Sequence, residues 1–155
     1  MLALDELLVN EKHIDPEMIE TSIEFWFSNK DEIRSPFPDY IKSDLITSSI
    51  KQFVEWNKKI SDDARKELND EILVERFEEF LFEEAYKMVI TDDEKITIKY
   101  PFMLRVDDQV KHEEKPLSKV ISRNIIQKDN TSYLEVELCE IEKGITWSTS
   151  FELME

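Results

Sequence analysis

Apolar residues recur at helical spacing as far as residue 91 and alternate one-in-two from residue 92 onward. A period of 3.6 buries one stripe of a helix, and a period of two buries one face of a strand. The switch predicts a helical half over residues 1–91 and a sheet half over residues 92–155. No Pro-, Gly- or Ser-rich linker separates them, and 155 residues are enough for one domain with a sizeable core. The expectation is therefore a single domain, residues 1–155.

Residues 2–9 are apolar apart from Asp5 and Glu6 and suit a first helical turn or an arm. Asp15-Pro16-Glu17 is a helix start: Asp15 can cap, Pro16 suits the first helical position and Glu17 complements the dipole. Ile19, Ile23, Trp26 and Phe27 then follow a buried helical stripe. Ser35-Pro36-Phe37-Pro38 ends that helix. A second helix is expected from Asp39 or Ser43 to Ile60, with Ile46, Ile50, Phe53 and Ile60 on one face and Trp56 beside it. Ser61 is the expected cap of a third helix reaching Val89, roughly 40 Å long at 1.5 Å per residue. Its stripe is narrow at Ala64, Leu68 and Ile72 and broadens through Phe77, Phe80, Leu81, Phe82 and Met88. This breadth predicts the most enclosed element of the fold.

Beyond Thr91-Asp92-Asp93-Glu94, Ile96, Ile98, Tyr100, Phe102, Leu104 and Val106 occupy every even position, which predicts a strand. Pro101 makes it an edge or breaks it with a bulge. Residues 118–127 form a less regular strand, because Ile121, Ile125 and Ile126 do not keep one parity. Lys128-Asp129-Asn130 is a turn. Leu134, Val136 and Leu138 share a face, and Glu142-Lys143-Gly144 turns the chain again. The last strand puts Ile145, Trp147, Thr149, Phe151 and Leu153 inward and Thr146, Ser148 and Ser150 outward. The predicted class is α+β, two-layered, with about three N-terminal helices packed on one face of a four-stranded antiparallel meander. A strongly curved sheet wrapping the third helix is the alternative; it resembles the NTF2-like or cystatin-like cone in outline, and no motif here matches those families.

Thirty-six acids against 20 bases give a net charge of -16. Such a surface repels phosphates, which argues against direct nucleic-acid or anionic-membrane binding and favours a basic partner. With one Gly, one Cys and two His, the chain cannot form a glycine-rich phosphate loop, an internal disulfide, a Cys-cluster zinc site or a His-rich metal site. No apolar run approaches the ~18 residues of a membrane span. Residues 1–6 carry no positive n-region, and with the lone thiol a cytoplasmic setting is expected.

Nucleophilic catalysis needs a base beside a Ser or Cys. His13 precedes the first strong helix and His112 lies in a polar loop, so both read as solvated. Cys139 lies near Glu137 and Glu140, the reverse of what activates a thiol. Asp92-Asp93-Glu94 lacks EF-hand spacing and reads as a solvated turn. No catalytic residue, metal ligand or cofactor is assigned, and an enzyme is not expected. Phe25, Trp26 and Phe27 are consecutive, so one helix stripe cannot hold all three. Phe25 is expected to pack on a segment such as Phe37, or else to lie in an exposed contact patch.

Asp63, Glu67, Glu71, Glu75, Glu79 and Glu83 are acids at six consecutive i+4 positions, and residues 62–84 hold ten acids against three bases. Successive members are rotated by about 40°, giving a slanted ridge whose like charges oppose the helix by roughly 0.2–0.5 kcal/mol per pair. The reading is an acidic cytoplasmic binding module, most concretely an immunity protein that neutralises a basic nuclease-type toxin. Glu67, Glu71, Glu75 and Glu79 carry the contact, with Asp70 and Glu78 as flanking charge. The alternatives are a ligand or enzymatic pocket on a curved sheet, with Tyr100, Thr149 and Glu140 as its polar candidates, or a structural adaptor.

Overall fold

The computed structural model describes residues 7–8, 13–29 and 34–154. Most of the apolar segment 2–9 lies outside them. The protein is α+β, with most helices N-terminal and a four-stranded antiparallel sheet C-terminal. Contacts divide it into two compact units, Met1–Ile90 and Thr91–Glu155, at the change of hydrophobic period.

In the first unit, α1 spans Pro16–Phe27, and the Asp15 carboxylate caps it by accepting from the Glu17 amide at 3.0 Å. Ile19 is fully buried, while Ile23, Trp26 and Phe27 are half-buried. Trp26 and Phe27 are the rings that meet Phe37, at 6.4 and 5.3 Å between centroids. Phe25 instead turns aside, touches Trp26 edge-on and stays 44% exposed. The step of about 100° per residue carries it off the buried stripe. A 3-10 turn over Asp39–Ile41 leads into α2, Lys42–Lys58, which buries Ile46, Ile50 and Phe53. Ile60 lies just beyond its end.

The expected 61–89 helix is broken. Ser61 caps a single turn, α3 (Asp62–Arg65), accepting from the Ala64 amide. The chain then turns at residues 66–69, and Asn69 caps α4, Asp70–Met88, accepting from the Ile72 amide at 2.9 Å. Asn favours a cap over a helix interior because its side chain competes for backbone amides. Nothing apolar opposes the break: Ala64 and Ile72 are exposed and Leu68 only half-buried. From Leu73 the stripe is real, with Phe77 and Leu81 at 0% exposure and Phe80 at 8%.

α4 packs on both α1 and α2. Phe77 meets Phe53 at 5.7 Å, and Phe82 meets Trp26 at 4.8 Å. Even so, α4 is not the most enclosed helix. It buries six of its 19 residues, whereas α2 buries seven of 17, because the outer face of α4 is acidic.

The second unit opens with a correction. Residues 92–99 form helix α5, Asp92–Lys99, rather than a strand. Thr91 and Glu94 make a reciprocal capping box, and three acids fill the first turn. Tyr100 precedes Pro101, adopts φ -132° and ψ 71°, and ends the helix. Turns follow to a two-residue strand, β1 (Gln109–Val110).

The sheet runs β1-β2-β3-β4 in order, all antiparallel, with β2 Ser118–Lys128, β3 Thr131–Glu140 and β4 Thr146–Glu152. The mixed parity of β2 has a cause: the register shifts between Val120 and Ser122, where Ile121 bulges out. Asp129 and Asn130, at φ 51° and 68°, form the two-residue β2–β3 turn, the geometry that matches strand twist. In β3, Leu134, Val136 and Leu138 are fully buried. Trp147 and Thr149 of β4 are half-buried, Leu153 beyond it is buried and Thr146, Ser148 and Ser150 are exposed, the expected parity, but Ile145 and Phe151, expected inward, are exposed at the two ends of the strand. The buried face is covered within this unit by Ile96 of α5, with Tyr100, Met103, Leu104 and Val106 packed on the same cluster.

Candidate partner-binding face

The break at residues 66–69 shortens the ridge. Asp63 lies on α3 and Glu67 in the turn, so neither continues the α4 row. Glu71, Glu75, Glu79 and Glu83 remain as a slanted row opposite Phe77 and Leu81, and all four are exposed. Asp70 occupies the first helical position, where its charge favours the helix N-terminus. Glu78 belongs to a different side: it faces α1, where the Trp26 indole N–H donates to its carboxylate.

These carboxylates are not equivalent in charge. Glu79 accepts from Arg76 at 2.5 Å, and that guanidinium also lies over Phe80 at 4.1 Å. Glu67, Asp70, Glu71 and Glu75 pair with no cation among the described residues. The free negative field is therefore concentrated on the first half of α4.

Glu84, which the ridge reading passed over, is buried. Its carboxylate accepts from the Ser48 hydroxyl of α2 at 2.5 Å and from Lys87 at 2.9 Å. The Ser48 hydrogen bond first, and the Lys87 bond second, hold its pKa below the ordinary carboxylate value against the opposing effect of burial. The four-residue spacing that defines the ridge gives no sign of Glu84, which lies one position beyond Glu83 and on the core side.

The polar candidates for a sheet pocket lie on a filled face. Tyr100 packs against the sheet core, Thr149 is half-buried and Glu140 ends β3 with 7% exposure. Asp93, once part of an apparent solvated turn, pairs with Arg123 at 2.7 Å. His13 is exposed, and His112 lies edge-on to Trp147 at 5.8 Å. Among the described residues, no group of three or more His, Cys, Asp or Glu is placed to hold a metal ion.

Fold and surface together define an α+β chain with an acidic, partly unpaired helix face. No family model matches it, and neither a curated protein nor a solved structure does. None of the described helices is long and apolar enough to cross a membrane.

Proposed function

We propose that the chain is an acidic binding module that takes a basic protein partner on α4, and that an immunity protein against a nuclease-type toxin is its most concrete form. The supporting observation is the row Glu71, Glu75 and Glu79 on one exposed face, with Glu71 and Glu75 unpaired among the described residues. Asp70 and Glu67 extend the negative field toward the preceding turn, and Glu78 flanks it on the α1 side. A field of one sign speeds encounter with an opposite charge and fades as salt screens it. A cytoplasmic setting belongs to the same reading.

The test is surface-capture kinetics at two ionic strengths, against a basic partner recovered from the source cytosol. Glu71→Gln/Glu75→Gln/Glu79→Gln is expected to slow association by about tenfold at low salt and to flatten its salt dependence, with dissociation little changed. An association rate equal to the parent's removes this face from the binding site.

A further inference from the structure

A groove of about 510 Å³ opens between α1 and the first half of α4. Met18, Thr21 and Phe25 line it from α1, and Val74 and Glu78 from α4. Helical spacing explains the alignment, since residues three or four apart stack on one side. Most of the wall is apolar, and Phe25, which touches Trp26 on one edge, leaves 44% of its surface open. Asp15 and Glu17 close one end, so every charged side chain that lines the groove is a carboxylate.

Two polar groups beside the groove are incompletely paired. Ser22 also lines it and is only 6% exposed, and its hydroxyl, closed off from solvent, has no hydrogen-bond partner among the described residues. A helical serine that is buried ordinarily bonds the carbonyl one turn back or another acceptor, because an unpaired buried hydroxyl is unfavourable. On the α1 wheel Ser22 lies between buried Ile19 and the groove residues Met18 and Phe25, which puts its hydroxyl behind the groove wall. Glu78 is in a similar position: one carboxylate oxygen takes the Trp26 N–H, and the other has no partner among the described residues.

We propose that this groove seats the anchor of the partner, a cationic amphipathic protein segment. One apolar side chain of that segment packs on Phe25, Met18 and Val74. A neighbouring Lys or Arg reaches Glu78. The occupant is cationic because the lining carries acids alone in a chain of net charge -16. It has an apolar anchor because a mostly apolar groove gains little from charge alone. The proposal rests on the reading of the chain as a binder of basic proteins and divides the labour: the outer row of α4 steers and the groove holds. Steering acts on association and a desolvated anchor on dissociation.

The probe is an acetylated, amidated heptapeptide, Gly-Lys-Lys-Trp-Lys-Lys-Gly, titrated into the full chain labelled with nitrogen-15. Two controls accompany it, one with Ser in place of Trp and one with Glu in place of every Lys. The expected result is saturable movement of the Met18, Ser22, Phe25, Val74 and Glu78 amides, with the Ser control at least about tenfold weaker and the Glu control silent. Thr21→Arg, a change at an exposed position, is expected to abolish the movement without altering the fold. Ser22→Ala removes an unpaired buried hydroxyl and is expected to raise the unfolding midpoint while leaving the peptide's affinity within about twofold. Movement confined to Glu71, Glu75 and Glu79 overturns the groove and leaves the acidic-face reading standing. Equal movement with the Glu control overturns the cationic assignment, and silence at both places overturns the groove and counts against the wider reading.

Discussion

In the helical unit Glu84, on α4, is a buried charge with one donor from α2 and one from its own helix. In the sheet unit Glu140 is buried at the end of β3, and Arg123, on β2, has a fully buried side chain. Arg123 bonds the Asp93 carboxylate at 2.7 Å, the Asp93 carbonyl at 2.9 Å, the Leu104 carbonyl at 2.8 Å and the Thr97 hydroxyl. Glu84 thus joins two helices that Phe53, Phe77 and their neighbours already hold together. Arg123 ties β2 to α5 and to the segment after it, where the apolar cover is mostly half-buried side chains. A charge added to a packed core trims its stability; a charge that collects acceptors from separate segments decides where those segments lie.

The largest effect expected from this contrast is at Arg123. Arg123→Ala should lower stability of the sheet unit by about 3–5 kcal/mol, since it strips the acceptors of a buried charge and leaves a cavity. Arg123→Lys should recover less than about half, because one ammonium cannot reproduce a planar fork reaching four groups on three residues. Urea unfolding followed by amide exchange in β3 measures both, and a loss below about 1 kcal/mol would show that apolar packing alone places α5.

Glu84 should give a smaller effect that depends on pH. Ser48→Ala removes a hydrogen bond to a nearly buried carboxylate and should cost about 1.5–3 kcal/mol at neutral pH. The folded-state pKa of Glu84 is lowered from 4.5, so its contribution is complete above 4.5 and is lost as pH falls through the lower folded value. The gap between parent and Ser48→Ala should therefore close in acid. Urea midpoints at neutral and acidic pH check this, and a gap that stays constant breaks the assignment.

Caps sharpen the comparison further. Thr91→Ala and Asn69→Ala should each cost about 1 kcal/mol, as ordinary N-cap losses. Only Thr91 holds the turn that presents Asp93 to Arg123. A double-mutant cycle of Thr91→Ala with Arg123→Ala should show coupling of about 0.5 kcal/mol or more, while Asn69→Ala with Arg123→Ala should be additive. Equal coupling in the two cycles would erase the distinction.

The smallest effect is on the outer face of α4. Glu71→Gln/Glu75→Gln/Glu79→Gln should leave thermal stability within about 0.5 kcal/mol of the parent, shifted upward, because relief of i, i+4 repulsion offsets the lost Arg76–Glu79 pair. Thermal unfolding at low salt reads it, and a clear loss would make the row a structural feature of the helix.

Much of the framework was legible because its signals are local. Asp15-Pro16-Glu17 capped α1, Ser61 capped the next turn, and Asp129-Asn130 closed a hairpin, each through bonds within three residues. The alternation of Leu134, Val136 and Leu138 read correctly because a central strand imposes parity on every residue. Part of the candidate site was legible in the same way: Glu71, Glu75 and Glu79 share an exposed face as spaced, whereas Glu67 lost its place when Asn69 acted as a cap. The groove was not legible, since it needs Val74 and Glu78 beside Met18 and Phe25, 49 to 60 residues away in the chain.

The segment 92–106 marks the line between the two kinds of information. Its even-numbered apolar residues satisfy a strand, and Ile96, Tyr100 and Met103 at i, i+4 and i+7 equally satisfy a helix. The Thr91–Glu94 capping box was present in the sequence and favoured the helix locally. Where that helix sits was settled by Arg123, thirty residues beyond Asp93, and by the bulge at Ile121 that returns Arg123 to the buried face. By itself the sequence determined caps, turns, the two periods and the sign of the surface, because each depends on neighbours along the chain. Tertiary structure decided the α5 position, the burial of Glu84 and the α1–α4 groove, because a buried charge or a cavity is defined only by groups that folding brings together.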